Sequence, residues 1–155
     1  MKIRIIALGL KMPAWIDAGY DEYARRLPRD YALELLELKP EARDRGRTPA
    51  QLLAAEAVRI DAACAGFLAV ALDERGSAWT SRMLADRIAR WRDDARDVVF
   101  VIGSADGLDP ALKRAAAERM ALSALTLPHG LVRIMLAEQI YRAVSLLTGH
   151  PYHRD

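Results

Sequence analysis

The side chains with the greatest chemical potential gather toward the carboxyl end of this 155-residue chain. All three histidines, His129, His150 and His153, lie there, and the chain closes on His150-Pro151-Tyr152-His153-Arg154-Asp155. Tyr152, His153 and Arg154 put a stacking surface, a titratable ring and a phosphate-binding fork side by side, which suits a splayed RNA base. The two tail histidines have no cysteine or second pair at ligand spacing, so no metal is expected. Glu138 precedes Arg142 by four residues, the favourable orientation for a helical ion pair of about 0.2–0.5 kcal/mol. Tyr141 and Arg142 face the same end as the tail and could equally guide RNA.

Three further segments combine small, polar and apolar residues in ways that suit a ligand. Gly103-Ser104-Ala105-Asp106-Gly107 reads as a tight turn where missing side chains let the backbone approach an adenine or ribose edge. Its spacing is neither the dinucleotide fingerprint nor a P-loop, so phosphate cradling is not expected of it. Leu122-Ser123-Ala124-Leu125-Thr126-Leu127-Pro128-His129 is apolar, carries two hydroxyls and ends at a proline that stops a strand. Backbone groups left unpaired there need partners, which a bound adenosine would supply. The third segment is Leu72-Asp73-Glu74-Arg75-Gly76.

Elements that would position these residues follow from apolar periodicity, which switches repeatedly between two and about 3.6. Residues 2–8, 31–39, 66–72, 98–102 and 121–126 read as strands, mostly short and apolar as buried parallel strands are. Ile16, Tyr20, Tyr23 and Leu27 share one helical face, and Met83, Leu84, Ile88 and Trp91 another. Thr48-Pro49-Ala50-Gln51 opens a helix with a capping box and a proline at its first position. Asp109-Pro110 caps the next one, and a final helix is expected over 131–147, closed by Gly149 and Pro151. The alternation implies an α/β fold, a parallel sheet with helices on both faces, in one domain spanning 1–155. Ligands bind such sheets beyond the carboxyl ends of the strands, which is where all three segments fall.

Hydrophobic residues make up 52% and charged residues 28%, a balance that excludes a disordered chain. Cys64 sits in an apolar run and is expected to be a buried, inert thiol, which fits a reducing compartment. The opening mixes charge with apolar residues, and no apolar run nears the roughly 20 residues of a membrane span, so a cytoplasmic protein is expected. A net charge of +2 is too small for nucleic acid to be bound by charge alone. Arg25-Arg26 and Arg43, Arg45 and Arg47 are read as solvated charge broken by Asp21, Glu22 and Asp44. They would form an RNA rim only if assembly gathered them, and residues 40–48 read as the most mobile stretch.

Taken together, these residues resemble the ribosomal RNA large subunit methyltransferase H family of the SPOUT class. The similarity covers the whole chain. It rests on Ala7-Leu8-Gly9 with Lys11-Met12-Pro13, the Leu72-Asp73 loop, the glycine turn, Leu122 to His129, Leu131-Val132-Arg133 and the tail His150-Pro151-Tyr152-His153-Arg154. The resemblance implies S-adenosylmethionine-dependent methylation at N3 of a pseudouridine in helix 69 of 23S ribosomal RNA, within the assembled ribosome. It also implies a C-terminal trefoil knot and an obligate homodimer. Residue by residue, it assigns the methyl donor to Leu72, Gly103, Leu122, Ser123, Ala124, Leu125, Thr126 and Leu127, with Tyr152, His153 and Arg154 near the target base and no metal. Relatives commonly carry a second glycine and a proline-glutamate pair in the glycine turn, where this chain has Ser104, Ala105 and Asp106.

For the proton on N3, His153 is the first candidate base and Glu138 the second. Arg154 or Arg142 would stabilise developing negative charge or hold phosphate. Two other classes fit the residues without the resemblance. A ribosome-binding protein without activity would neither bind nor transfer from the donor, and an enzyme acting on a small nucleotide would leave label on a small molecule.

Overall fold

The computed structural model describes residues 1–43 and 46–153. Five strands, β1 (Lys2–Leu8), β2 (Ala32–Leu38), β3 (Leu68–Ala78), β4 (Val98–Ile102) and β5 (Glu118–Ala121), form one sheet in the order β2-β1-β4-β3-β5. Every pairing is parallel. The helices are α1 (Ala14–Ala24), α2 (Pro49–Ala63), α3 (Ser81–Asp93), α4 (Pro110–Ala115) and α5 (His129–Thr148).

Strand order fixes which face each helix covers. Crossovers between parallel strands are right-handed, so connections stepping in opposite directions across the sheet lie on opposite faces. The steps β1→β2 and β3→β4 run one way and carry α1 and α3, whereas β2→β3 and β4→β5 run the other way and carry α2 and α4. Helix α5 packs between α1 and α3. Its Leu136, Ala137, Ile140 and Val144 join Ile3, Ile5, Val98 and Phe100 in one core, while Ile60 and Leu112 pack with Ile6, Ala71 and Val101 in the other. Both faces of β4 are thereby covered, and all five of its residues are buried.

Local chemistry sets the helix boundaries. Thr48 accepts from the Gln51 amide at 3.2 Å and Gln51 returns the bond at 2.9 Å, the expected capping box. Asp109 accepts from the amides of Ala111 and Leu112 at 2.8 and 3.2 Å, and Gly149 closes α5 in the left-handed region at φ 67°. Helices α1 and α5 cross closely through two reciprocal contacts. A Cβ on Gly19 would lie 2.6 Å from Ile134, and one on Gly130 would lie 2.8 Å from Ile16.

Several expectations need correction. The segment 121–126 is not a strand: β5 ends at Ala121, and Leu122 to Pro128 form a loop whose backbone turns toward the crevice. Apolar composition alone cannot distinguish a strand from a loop that lines a site. Strand β3 does not stop at Leu72 but resumes after a bulge, with both Leu72 and Ser77 paired to Met120. Leu27 lies past the end of α1, and Met83 is partly exposed on α3 rather than in the core. Cys64 is only partly buried, and that burial still pushes its thiol up to about 11. Among the described residues, no helix is long and apolar enough to cross a membrane.

Candidate active site

The carboxyl ends of β3 and β4 and the loop after β5 enclose a cleft of about 590 Å³, a size usual for small-molecule sites. Ile102 and Leu72 bring apolar surface from the strand ends and Leu122 and Leu127 from the loop, while Asp73, Glu74 and Asp106 together with Arg75 and Lys113 bring charge of both signs. Of the eight residues expected around the donor, Leu72, Gly103, Leu122, Ser123, Leu125, Thr126 and Leu127 line this cleft and Ala124 does not.

Gly103 cannot be another residue without moving the turn, because a Cβ there would fall 2.4 Å from the Gly107 carbonyl oxygen. Gly107 holds φ +86°, and its amide donates to Ser104 O at 2.9 Å. The turn is thus folded back on itself, and its backbone forms one wall of the cleft. In the loop opposite, the Leu125 amide donates to Ser123 Oγ at 2.9 Å, so this hydroxyl serves the loop's own conformation.

Beneath the cleft lies a fully buried arginine. Arg133 donates from Nη1 to Glu37 Oε2 at 2.6 Å, from Nη2 to Gly9 O at 2.8 Å and from Nε to His129 Nε2 at 3.2 Å. Since guanidinium only donates, Nε2 of His129 is the acceptor, and Nδ1 carries the proton given to Gly103 O at 3.1 Å. Burial and the neighbouring Arg133 charge lower the His129 pKa, consistent with this neutral tautomer. Arg133, acting through His129, therefore ties the ends of β1 and β2 to the glycine turn after β4. The sequence alone assigns neither His129 nor Arg133 a role in the site. The available signal was a histidine-arginine pair four apart on an otherwise largely apolar helix.

The turn is also clasped from outside. Arg43, expected to be solvated charge, donates from Nη2 to Ser104 Oγ at 2.7 Å and Glu56 Oε1 at 3.1 Å, and from Nε to Asp106 at 3.1 Å. Glu56 is buried on α2, and a carboxylate there requires a cation close by. Arg43 thus holds both Ser104 and Asp106 of the turn. The Arg45 expectation lies outside the described residues.

The tail packs back against the second half of α5. Glu138 accepts from Arg142 at 2.6 and 2.9 Å and from the Tyr152 hydroxyl at 3.0 Å. Burial and the accepting carboxylate push the Tyr152 phenol up to about 12, so it stays protonated and donates. Tyr141 is buried, with its ring 4.6 Å from that of Tyr152 and 6.3 Å from that of His150, so it supports the tail instead of offering a surface. His153 Nδ1 lies 3.5 Å from Ser145 Oγ. Arg154 lies outside the described residues. Val132 lines the cleft six residues before Glu138 and thirteen before Ser145 on α5, separations of about 9 and 20 Å along the axis. The structure therefore brings Glu138, Arg142 and Tyr152 together, with His153 at the end of the cluster farther along α5, and none of the four lines the cleft of their own chain.

Residues 1–153 match the family described as "Predicted SPOUT methyltransferase". The chain belongs to that family. At 60% identity over 155 residues, covering 99% of both chains, it is similar to the ribosomal RNA large subunit methyltransferase H of Nitrosospira multiformis. Proteins of the same name from Bordetella petrii and Burkholderia multivorans are 56% and 54% identical over the same span. Membership in a SPOUT methyltransferase family agrees with the all-parallel sheet.

Proposed function

We propose that the protein methylates N3 of a pseudouridine in helix 69 of 23S ribosomal RNA, taking the methyl group from S-adenosylmethionine and acting on the assembled ribosome in the cytoplasm. The observation that carries this reading is full-length similarity to proteins named for methylating large-subunit ribosomal RNA, joined to a cleft whose walls suit a nucleoside. Leu72, Ile102, Leu122 and Leu127 can sandwich a flat base, and the Gly103 turn lets backbone groups reach its edge. The donor supplies an already activated methyl group on a sulfonium, so the chain's task is to bind, orient and manage one proton.

Alignment of nucleophile and methyl by a rigid site contributes up to about 7–11 kcal/mol. Rigidity here comes from Arg133, His129 and Arg43, which hold the turn from below and outside. N3 carries a proton at neutral pH that must leave before or as the new bond forms. His153 is assigned as its acceptor, with Glu138 the alternative, Arg154 stabilising developing charge, and Arg142 and Tyr152 contacting RNA. The separation of about 20 Å along α5 between Val132 at the cleft and Ser145 beside His153 supports a homodimer in which one subunit's tail meets the other's donor. Partly exposed Leu10, Trp15 and Leu125 are apolar surface that such an assembly would cover. A C-terminal trefoil knot and a single domain over 1–155 complete the proposal.

Labelled donor incubated with ribosomes from cells lacking this gene tests it. Label at N3 of the helix 69 pseudouridine is expected, and free 23S RNA should be a poor substrate. No transfer to ribosomes, or equal transfer to free RNA, would contradict the reading. His153→Ala should abolish turnover while leaving donor affinity intact.

A further inference from the structure

Next to the cleft, the bulge in β3 opens a second, polar hollow of about 360 Å³, lined by Arg75, Gly76, Ser77, Trp79, Glu118 and Arg119. We infer that this hollow binds a backbone phosphate of the RNA substrate, with Arg75 and Arg119 as its two cationic arms. The inference rests on the RNA reading above and adds a site to it.

Charge is the first reason. Glu118, the acid of the hollow, is already held by Arg87 Nε at 2.7 Å, and Arg87 is in turn stacked 4.0 Å over the Trp79 ring. Arg75 and Arg119 are exposed, and among the described residues neither guanidinium has a partner. Three arginines against one glutamate leave two positive charges in one hollow, as many as the net charge of the whole chain. Such a concentration in a weakly basic protein makes a local anion site, and guanidinium pairs are suited to the non-bridging oxygens of a phosphodiester.

Construction is the second reason. Met120 pairs with both Leu72 and Ser77, so Asp73 to Gly76 loop out of the sheet as one excursion. Asp73 braces it, lying 3.5 Å from Lys113 and accepting from the Arg75 amide at 3.2 Å. A Cβ on Gly76 would fall 2.8 Å from the Arg119 carbonyl carbon, so the excursion lies hard against β5 and fixes Arg75 beside Arg119. Bulges of this kind re-aim side chains next to active sites. Arg75 also lines the cleft, so a phosphate held here would lie beside the methyl donor, where the chain flanking a target nucleotide must pass.

The test compares methylation of unmodified 70S ribosomes by the parent and by R119A, R119K and R96A across a range of KCl concentrations. Arg119 lines the hollow but not the cleft, and Arg96 is exposed just before β4, at the opposite end of the sheet. R119A should raise KM for ribosomes about tenfold and lower the slope of log KM against log salt by about one. R119K should keep most of the slope, R96A should behave as the parent, and the affinity of R119A for S-adenosylmethionine should equal the parent's. An unchanged KM and slope in R119A would overturn the inference while leaving the methyltransferase reading standing. Absence of transfer by the parent would remove both. Inorganic phosphate titrated into the parent by calorimetry should show no saturable binding, and saturable binding lost in R119A would reassign the hollow to a free anion.

Discussion

Replacing Arg133 with methionine should cost about 4 kcal/mol of folding stability. Methionine fills most of the space, so the loss is electrostatic and hydrogen-bonded rather than a cavity. The Gly9 carbonyl would lose its guanidinium donor at 2.8 Å, leaving a buried acceptor unpaired at about 1–3 kcal/mol. His129 Nε2 would lose its donor at 3.2 Å, worth about 1 kcal/mol. The pair with Glu37 would break as well, but the Glu37 side chain is 35% exposed and recovers water, so its share is held to about 1 kcal/mol. For a chain of this length each kcal/mol moves Tm by about 2–4 °C, so a fall of roughly 8–16 °C is expected. Thermal and urea unfolding of R133M beside the surface variant R25M would measure it. The His129 pKa should rise in R133M, followed by NMR of the ring protons, because a neighbouring positive charge has gone. A loss below about 1 kcal/mol, or an unmoved His129, would refute the idea that this arginine holds the strand ends together.

Gly103→Ala should weaken S-adenosylmethionine binding by on the order of tenfold to a hundredfold, read by calorimetry, since the new methyl group must displace the Gly107 backbone. Because folding lowers the His129 pKa, the unfolded chain takes up a proton there more readily. Stability should therefore be fully present above the unfolded imidazole's range near pH ~6.5 and fall as pH drops through the folded value. H129Q should flatten that part of a urea-derived profile between pH ~7.5 and ~5. Thr48→Ala removes the capping box of α2 and should lower stability by about 1 kcal/mol in the same assay, with donor affinity unchanged.

Much of this was legible before the fold was known, and for local reasons. The capping box at Thr48, the Asp109-Pro110 start and the Gly149 stop depend on neighbours within a few residues, so spacing alone identifies them. Strand β4 and residues 5–8 of β1 lie inside the sheet, where burial on both faces forces continuous apolar runs. The alternation of strand and helix then dictates a parallel sheet, and with it the end at which a ligand sits. Resemblance of motifs over the whole length gave the family, because the residues that shape a site are constrained by the ligand as well as by the fold.

Contacts between distant parts of the chain needed tertiary structure. Leu122 to Pro128 has a strand's composition, yet β5 ends before it because the neighbouring backbone stops there and the freed segment walls a cleft. Arg43 and Arg133 are ordinary charges in the sequence. Besides Glu56 and His129 nearer by, their partners include Ser104, Asp106, Glu37 and Gly9 at 61 to 124 residues away, and no spacing rule reaches that far. The placing of His153 beside Ser145, thirteen residues along α5 from the cleft-lining Val132, likewise depends on the tail folding back on that helix. Sequence determines which residues can do chemistry, because that follows from side-chain type and near neighbours. Only the folded chain decides which of them meet, because long-range contact is a property of packing.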